Sequence, residues 1–245
     1  MSNWQIYALT IADQQQHIEQ SETLLTTIRP QDPPILYWSQ AETTALVLGF
    51  SQKRDVLNGH ACNTIPVYHR RAGGTAVLVG PSLLSLDVVL PAGHPLILPD
   101  IVESYRWFGE AWTDALKLLG IEARIVPPAE AHNHRSLLKD PATRNYELLM
   151  QRACYGTLSS YEVAVGKRKV VGLDMIRRRS GTLLQAGVLL QWETSLLAEL
   201  LGHTPQEQAL LRTGLLERAI GIDTLAGRAV TAGEIIHAFE TVLLL

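Results

Sequence analysis

Two residues frame the chemistry open to this chain: Cys154, and Lys169 fifteen residues after it. Lys169 stands directly before a short apolar run that ends at Gly172, so a strand there would aim one ammonium at whatever lies against it. Ahead of it, residues 161–165 alternate as a strand does, and residues 166–168 read as its turn. Cys154 and Lys169 are therefore expected to face each other from neighbouring strands of one hairpin. The thiolate is the nucleophilic form of cysteine, a nearby cation favours it, and an ammonium also polarises an acyl carbonyl. Spacing alone leaves a simpler alternative open, and favours it: Cys154 as a small core hydrophobe and Lys169 as a solvated turn residue.

A second candidate element lies upstream, in VYHRRAGGTAVLVG. Glycines such as Gly73 and Gly74 let backbone N–H groups approach an acyl or phosphate oxygen, and an arginine such as Arg70 offers a planar fork of donors to a phosphate. Taken by itself, the glycine pair is a tight turn between strands.

Together these blocks resemble the biotin/lipoate A/B protein ligase family, which includes lipoate-protein ligases and cysteine-dependent octanoyltransferases. Family members carry a cysteine and an aromatic residue, then S-x-Y-E, a turn, K-V-x-G, an arginine, and L-Q-H-G. Here those elements stand as Cys154-Tyr155, Ser159-Ser160-Tyr161-Glu162, Lys169-Val170-Val171-Gly172, Arg177, and Leu184-Gln185-Ala186-Gly187. The family's arginine pair and glycine-rich stretch match His69-Arg70 and Gly73-Gly74-Thr75-Ala76-Val77. The resemblance spans residues 37–190. Four positions depart from it: His69 replaces an arginine, Val79 a histidine, Met175 a glutamine and Ala186 a histidine.

The resemblance implies Cys154 and Lys169 as catalytic residues. It implies Arg70, Gly73, Gly74, Thr75, Ala76, Val77, Leu78, Gly172 and Arg177 as substrate-binding residues, with no metal held by the protein. In a transferase, Cys154 attacks the thioester of octanoyl-acyl carrier protein and a lysine of a lipoyl domain resolves the acyl-enzyme, with no cofactor. In a ligase, lipoate or octanoate is activated with ATP and Mg²⁺, Arg70 and Lys169 grip the adenylate, and Cys154 is a bystander. The cysteine at the family position, and a chain without the extra C-terminal domain of longer ligases, favour the transferase. The four departures support a third possibility, an acyl-binding or scaffold protein that keeps the fold without the chemistry.

Composition bounds the rest. With 245 residues, 47% hydrophobic and 18% charged, the chain reads as one soluble domain able to bury a sizeable core. A net charge of −3 offers no basic field for nucleic acid. Its two cysteines, Cys62 and Cys154, make no disulfide framework, and neither a leader peptide nor a membrane span can be read, so the expected location is the cytoplasm.

The elements that must position these residues make an α+β fold, a mixed and largely antiparallel sheet packed with helices, as the resemblance also implies. Residues 1–192 are expected to form the catalytic domain, and residues 193–245 helices that pack on it or form a small appendage. Strand, helix and hairpin patterns follow one another at 4–10, up to 28, and 36–39 with 45–50. A helix is expected over 100–119, where apolar residues recur at three- and four-residue spacing as core packing. Residues 127–152 read as a polar loop able to cover the site, its His132 and His134 solvated rather than metal-bound. Thr204 and Thr231, each followed three residues later by glutamate, predict capped helix starts.

Overall fold

The computed structural model describes residues 4–59 and 64–244, and Cys62 lies outside them. The chain opens as a parallel crossover of β1 (Gln5–Ala12), α1 (Gln14–Thr27) and β2 (Ile35–Ala41). There follow β3 (Ala45–Leu48), β4 (Val67–His69), β5 (Val77–Val79), β6 (Leu83–Pro91) and α2 (Arg106–Leu118). Next come β7 (Arg124–Ile125), α3 (Pro128–Ser136), α4 (Arg144–Met150), β8 (Val163–Val165), β9 (Arg168–Arg177) and β10 (Gly181–Leu189). The chain ends in α5 (Ser195–Leu201), α6 (Pro205–Arg218), α7 (Ile222–Ala226) and α8 (Ala232–Leu244).

Seven strands form one sheet in the order β1-β2-β6-β10-β9-β8-β7, antiparallel throughout except for the β1–β2 pair. A smaller sheet, β4-β3-β5, stands beside it. The α+β class expected from the sequence is the class observed.

Alternation along β6 shows how the large sheet is used. Leu84, Leu86, Val88 and Leu90 point to one face, where Phe108, Trp112 and Leu116 of α2 and Phe239 of α8 complete the main core. Rings interlock there, with Trp112 and Phe239 centroids 4.4 Å apart and Trp38 edge-on to both. Val89, from the other set, joins Leu24, Leu25 and Ile28 at the end of α1. Strands buried on both faces read as near-continuous apolar runs, which explains LLSLDVVL. Its one charge, Asp87, falls on the α1 face.

Helix starts follow the sequence. The Thr204 hydroxyl accepts from the Glu207 N–H, and Thr231 and Glu234 bond each other in both directions, relieving orphan donors at the first turns of α6 and α8. Among the described residues no helix is long and apolar enough to cross a membrane.

Three expectations are corrected. Residues 36–39 and 45–50 do not pair as a hairpin: β2 lies between β1 and β6, and β3 between β4 and β5. Both segments are buried, so the backbone N–H and C=O groups along both edges of each need pairing partners, and the chain corners between them to supply two sheets. The helix expected from residue 100 begins at Arg106, because the Asp100 carboxylate accepts from the Val102 and Glu103 N–H groups and holds a turn, with Ile101 exposed. Residues 127–152 are not an open loop. Pro128 starts α3, and α4 buries Leu149 and Met150 against α6, contacts too sparse to show as a periodic stripe.

Candidate active site

Between α1, the glycine-bearing turn ahead of β5 and the α1 face of the large sheet lies a cavity of about 420 Å³. Lys169, Cys154, Arg70, Gly74, Thr75 and Gly172 all border it. Val77 also lines the wall, whereas Gly73, Ala76, Leu78 and Arg177 do not. Ala76 is fully buried and locks the turn in place, its carbonyl accepting from the Cys154 N–H at 2.8 Å. Arg177 is directed away, donating to the Ser104 hydroxyl at 2.5 Å.

Lys169 is 1% exposed, so the solvated-turn alternative does not describe it. Its ammonium donates to a Glu162 carboxylate oxygen at 2.8 Å and to the Cys154 carbonyl at 2.8 Å, and lies 5.4 Å from the centre of the Tyr155 ring. An ammonium has three N–H donors, and these bonds use two. The third has no protein acceptor among the described residues, on a side chain that borders the cavity. Burial pushes the Glu162 carboxyl above its ordinary value, while Lys169 and the Ser159 N–H pull the other way. A buried charge is tolerable when paired and hydrogen-bonded in this manner.

Glu162 is aimed by its neighbour. Tyr161 takes the left-handed conformation at φ 66°, uncommon for a residue with a side chain, while its hydroxyl donates to Glu103 at 2.5 Å. Cys154 is not on a strand facing Lys169, as the hairpin reading required. It begins a single 3₁₀ turn, Cys154–Gly156, and the Lys169 side chain reaches across to that turn's backbone. Residues 163–177 do form a hairpin, β8–β9, turning at Gly166 with φ 60°.

The sheet floor of the cavity is set by register. Ser39, Ser85, Gly187 and Gly172 lie opposite one another across β2, β6, β10 and β9. The glycines leave room for the Tyr155 ring, whose hydroxyl donates to the Gly187 carbonyl at 2.7 Å. Two residues along each strand, the next row reads Tyr37, Asp87, Gln185 and Asp174. Gln185 donates to Asp87 at 2.9 Å, and burial raises the Asp87 pKa to about 6 against the opposing hydrogen bonds of Ser21 and Gln185. Asp174 is raised by burial and lowered by Arg70, whose guanidinium is 3.5 Å away. That contact is one of charge rather than a formed hydrogen bond, since Asp174 Oδ2 has no hydrogen-bond partner among the described residues.

Arg70 also props the glycine turn, donating to the carbonyls of Gly73 at 3.1 Å and Thr75 at 3.4 Å. Gly74 has φ +78°, and Gly49 allows the turn to sit close: a Cβ at Gly49 would lie 2.0 Å from the Gly74 carbonyl oxygen. Arg71 pairs with Glu22 of α1 across the cavity rim. The four departures fall unevenly: Val79 and Ala186 border the cavity, while Met175 does not and His69 is exposed.

Sequence reasoning did not assign site roles to Glu162, Asp87, Asp174, Tyr155 or Gln185. For Asp87 the signal was a lone acid inside an apolar strand. For Asp174 there was none, because its importance comes from a register that places it beside Arg70. His132 and His134 belong to no metal cluster, and among the described residues no group of three or more His, Cys, Asp or Glu could hold a metal ion.

Comparison with known proteins adds independent findings. The family model for the lipoyl protein ligase A/B catalytic domain matches residues 13–244. The chain is 27% identical to octanoyltransferase LipM of Exiguobacterium sp. over 85% of its own length and 73% of that protein's. It is 25% identical to octanoyltransferase LipM of Clostridioides difficile, over 94% of its length and 82% of that protein's. In three dimensions it is similar to the bi-partite lipoate protein ligase of Thermoplasma acidophilum, with TM-score 0.75 and 18% identity over all of this chain and 84% of that one. Lipoate-protein ligase A bound with ATP gives TM-score 0.72 and 19% identity over all of this chain and 86% of that one.

Proposed function

Since the chain belongs to the lipoyl protein ligase A/B catalytic domain family, we propose that it is an octanoyltransferase, passing the acyl group through a thioester on Cys154 to a lysine of a lipoyl domain. The observation that carries this reading is the meeting of Lys169 and the Cys154 turn at one cavity wall, with one ammonium proton that no acceptor among the described residues takes.

The donor is octanoyl-acyl carrier protein. The Cys154 thiolate attacks its thioester carbonyl, and the uncommitted N–H of Lys169 stabilises the negative charge that gathers on the carbonyl oxygen. The intermediate collapses, the carrier's sulfur leaves as a thiolate and takes up the proton that the Cys154 thiol gave up before its attack, and the octanoyl group stays on Cys154. The amine of the acceptor lysine then attacks that thioester, the amide forms, and the Cys154 thiol is restored. Glu162 keeps the ammonium in place through both steps, so no reorganisation is required as charge develops.

A thioester donor also suits the charges around the cavity better than an adenylate does. Arg70 and Arg71, which flank the glycine turn, already face Asp174 and Glu22, and the other cations among the described residues that border the cavity are Lys169, paired with Glu162, and Arg135. The carboxyls of Asp87 and Asp174 border the same space, which the triphosphate of ATP and then the phosphate of an adenylate would have to share with them. Apolar Val77, Val79 and Leu83 offer a wall for a hydrocarbon chain. The replacement of a family histidine by Val79 increases that apolar surface.

The test offers a lipoyl domain two routes and weighs the acceptor by mass spectrometry. Octanoyl-acyl carrier protein without nucleotide is expected to add one octanoyl group. Addition only from free octanoate or lipoate with ATP and Mg²⁺ would replace this reading by the ligase, and addition by neither route would favour an acyl-binding protein.

A further inference from the structure

The turn that carries Cys154 is gripped by a second cation, from outside the cavity. Arg218, the last residue of α6, donates from Nη1 to the Gly156 carbonyl at 2.7 Å. Its two terminal nitrogens also hold the buried carboxylate of Glu147 on α4, at 2.9 and 2.6 Å, and Nη1 lies 3.2 Å from His134 of α3. The guanidinium carbon lies 5.2 Å from the centre of the Tyr146 ring. Lys169 and Arg218 therefore hold carbonyls at the two ends of one 3₁₀ turn, Cys154 and Gly156.

The residues that follow Arg218 hold Lys169 in turn. Ala219 bridges to Lys169, and the Ile220 N–H donates to the Lys169 carbonyl at 3.0 Å. Packing reinforces this on the Cys154 side: a Cβ at Gly156 would lie 2.0 Å from the Met150 carbonyl oxygen and 3.2 Å from Leu215 of α6. Trp192 donates to the Leu215 carbonyl at 2.9 Å while its ring stands 5.5 Å from that of Tyr155. Three consecutive residues, 218–220, thus tie the nucleophile's turn and the ammonium's strand to one helix end.

We infer that Arg218 is a positioning residue for acyl transfer, fixing Cys154 relative to Lys169 without touching substrate; this rests on the transferase reading above. A planar fork is what the place demands, because one group must serve two carboxylate oxygens and a carbonyl at once. Lysine keeps the charge but not that geometry. Catalysis between fixed groups is sensitive to displacements of about 1 Å, which cost on the order of 10²-fold in rate.

The experiment measures single-turnover acylation of Cys154 by octanoyl-acyl carrier protein in the full chain. Arg218→Lys is expected to lower the maximal acylation rate about 10²-fold with little change in the half-saturating donor concentration. Arg218→Ala is expected to regain a substantial part of its lost rate when millimolar guanidinium is added, and not when methylammonium is. Glu147→Gln, which leaves the Gly156 contact possible but unbraced, is expected to show a smaller loss in the same direction, and it serves if the Arg218 variants do not fold. Wild-type rates in Arg218→Lys or Glu147→Gln, a loss confined to donor affinity, or equal rescue by both cations overturns the inference while leaving the transferase reading standing. A wild-type protein that accepts no octanoyl group overturns the reading itself, and this inference with it.

Discussion

The ammonium of Lys169 is bonded to the main-chain carbonyl of Cys154 at 2.8 Å, so the candidate electrophile-stabiliser is fastened to the backbone of the candidate nucleophile. Their spacing is thus held by a short bond within one wall rather than by two independent loops. A site on such linked elements keeps its geometry as substrate comes and goes.

Glu162 and Lys169 form a buried pair with side chains 3% and 1% exposed. Lys169→Met leaves the carboxyl without its partner and is expected to cost about 3–5 kcal/mol of stability. Adding Glu162→Gln should return most of that stability in urea unfolding, yet acyl transfer should stay at least about 10²-fold below wild type. Recovered activity in the double variant would remove Lys169 from the chemistry.

Asp87 makes stability depend on pH. Its pKa is raised from 3.8 to about 6 by burial, so between these values the folded state binds more protons than the unfolded state. Stability from this group is therefore fully present below about pH 4 and is lost as pH rises through about 6, a change of roughly 3 kcal/mol. Asp87→Asn should flatten the unfolding midpoint over that range and be more stable than wild type at pH 7. An unchanged pH profile would mean that the carboxyl is better solvated than its burial implies.

Two glycines near the turn should respond unequally. Gly49→Ala would push a methyl group against the Gly74 carbonyl oxygen, so it should shift the turn, cost about 1–3 kcal/mol and lower acyl transfer. Gly73→Ala meets no atom of the described residues within 4 Å and should change stability by less than about 0.5 kcal/mol. Thermal melts of the two variants, run side by side, check the contrast.

The motif blocks around Cys154, Lys169 and Gly74 were legible because each places a special residue at a fixed local spacing, and local spacing survives in sequence. The α+β class was legible for the same reason, through the alternation at residues 161–165 and the periodic stripe of α2. Pairing was not: β2 and β3 look like a hairpin in sequence because adjacency is visible and the competing partners, β6 and β5, are distant. The polar row of Asp87, Gln185 and Asp174 comes from three strands and appears only once register is set. Arg218 gave no signal at all, since its role depends on α6 ending beside a turn some sixty residues earlier.

The central claim, a covalent acyl group on Cys154, is tested most directly by intact-mass measurement after mixing the protein with octanoyl-acyl carrier protein and no acceptor. The account predicts one octanoyl adduct, removed by hydroxylamine and absent from Cys154→Ala. Undiminished transfer to a lipoyl domain by Cys154→Ala, with no adduct on the wild-type protein, would contradict it.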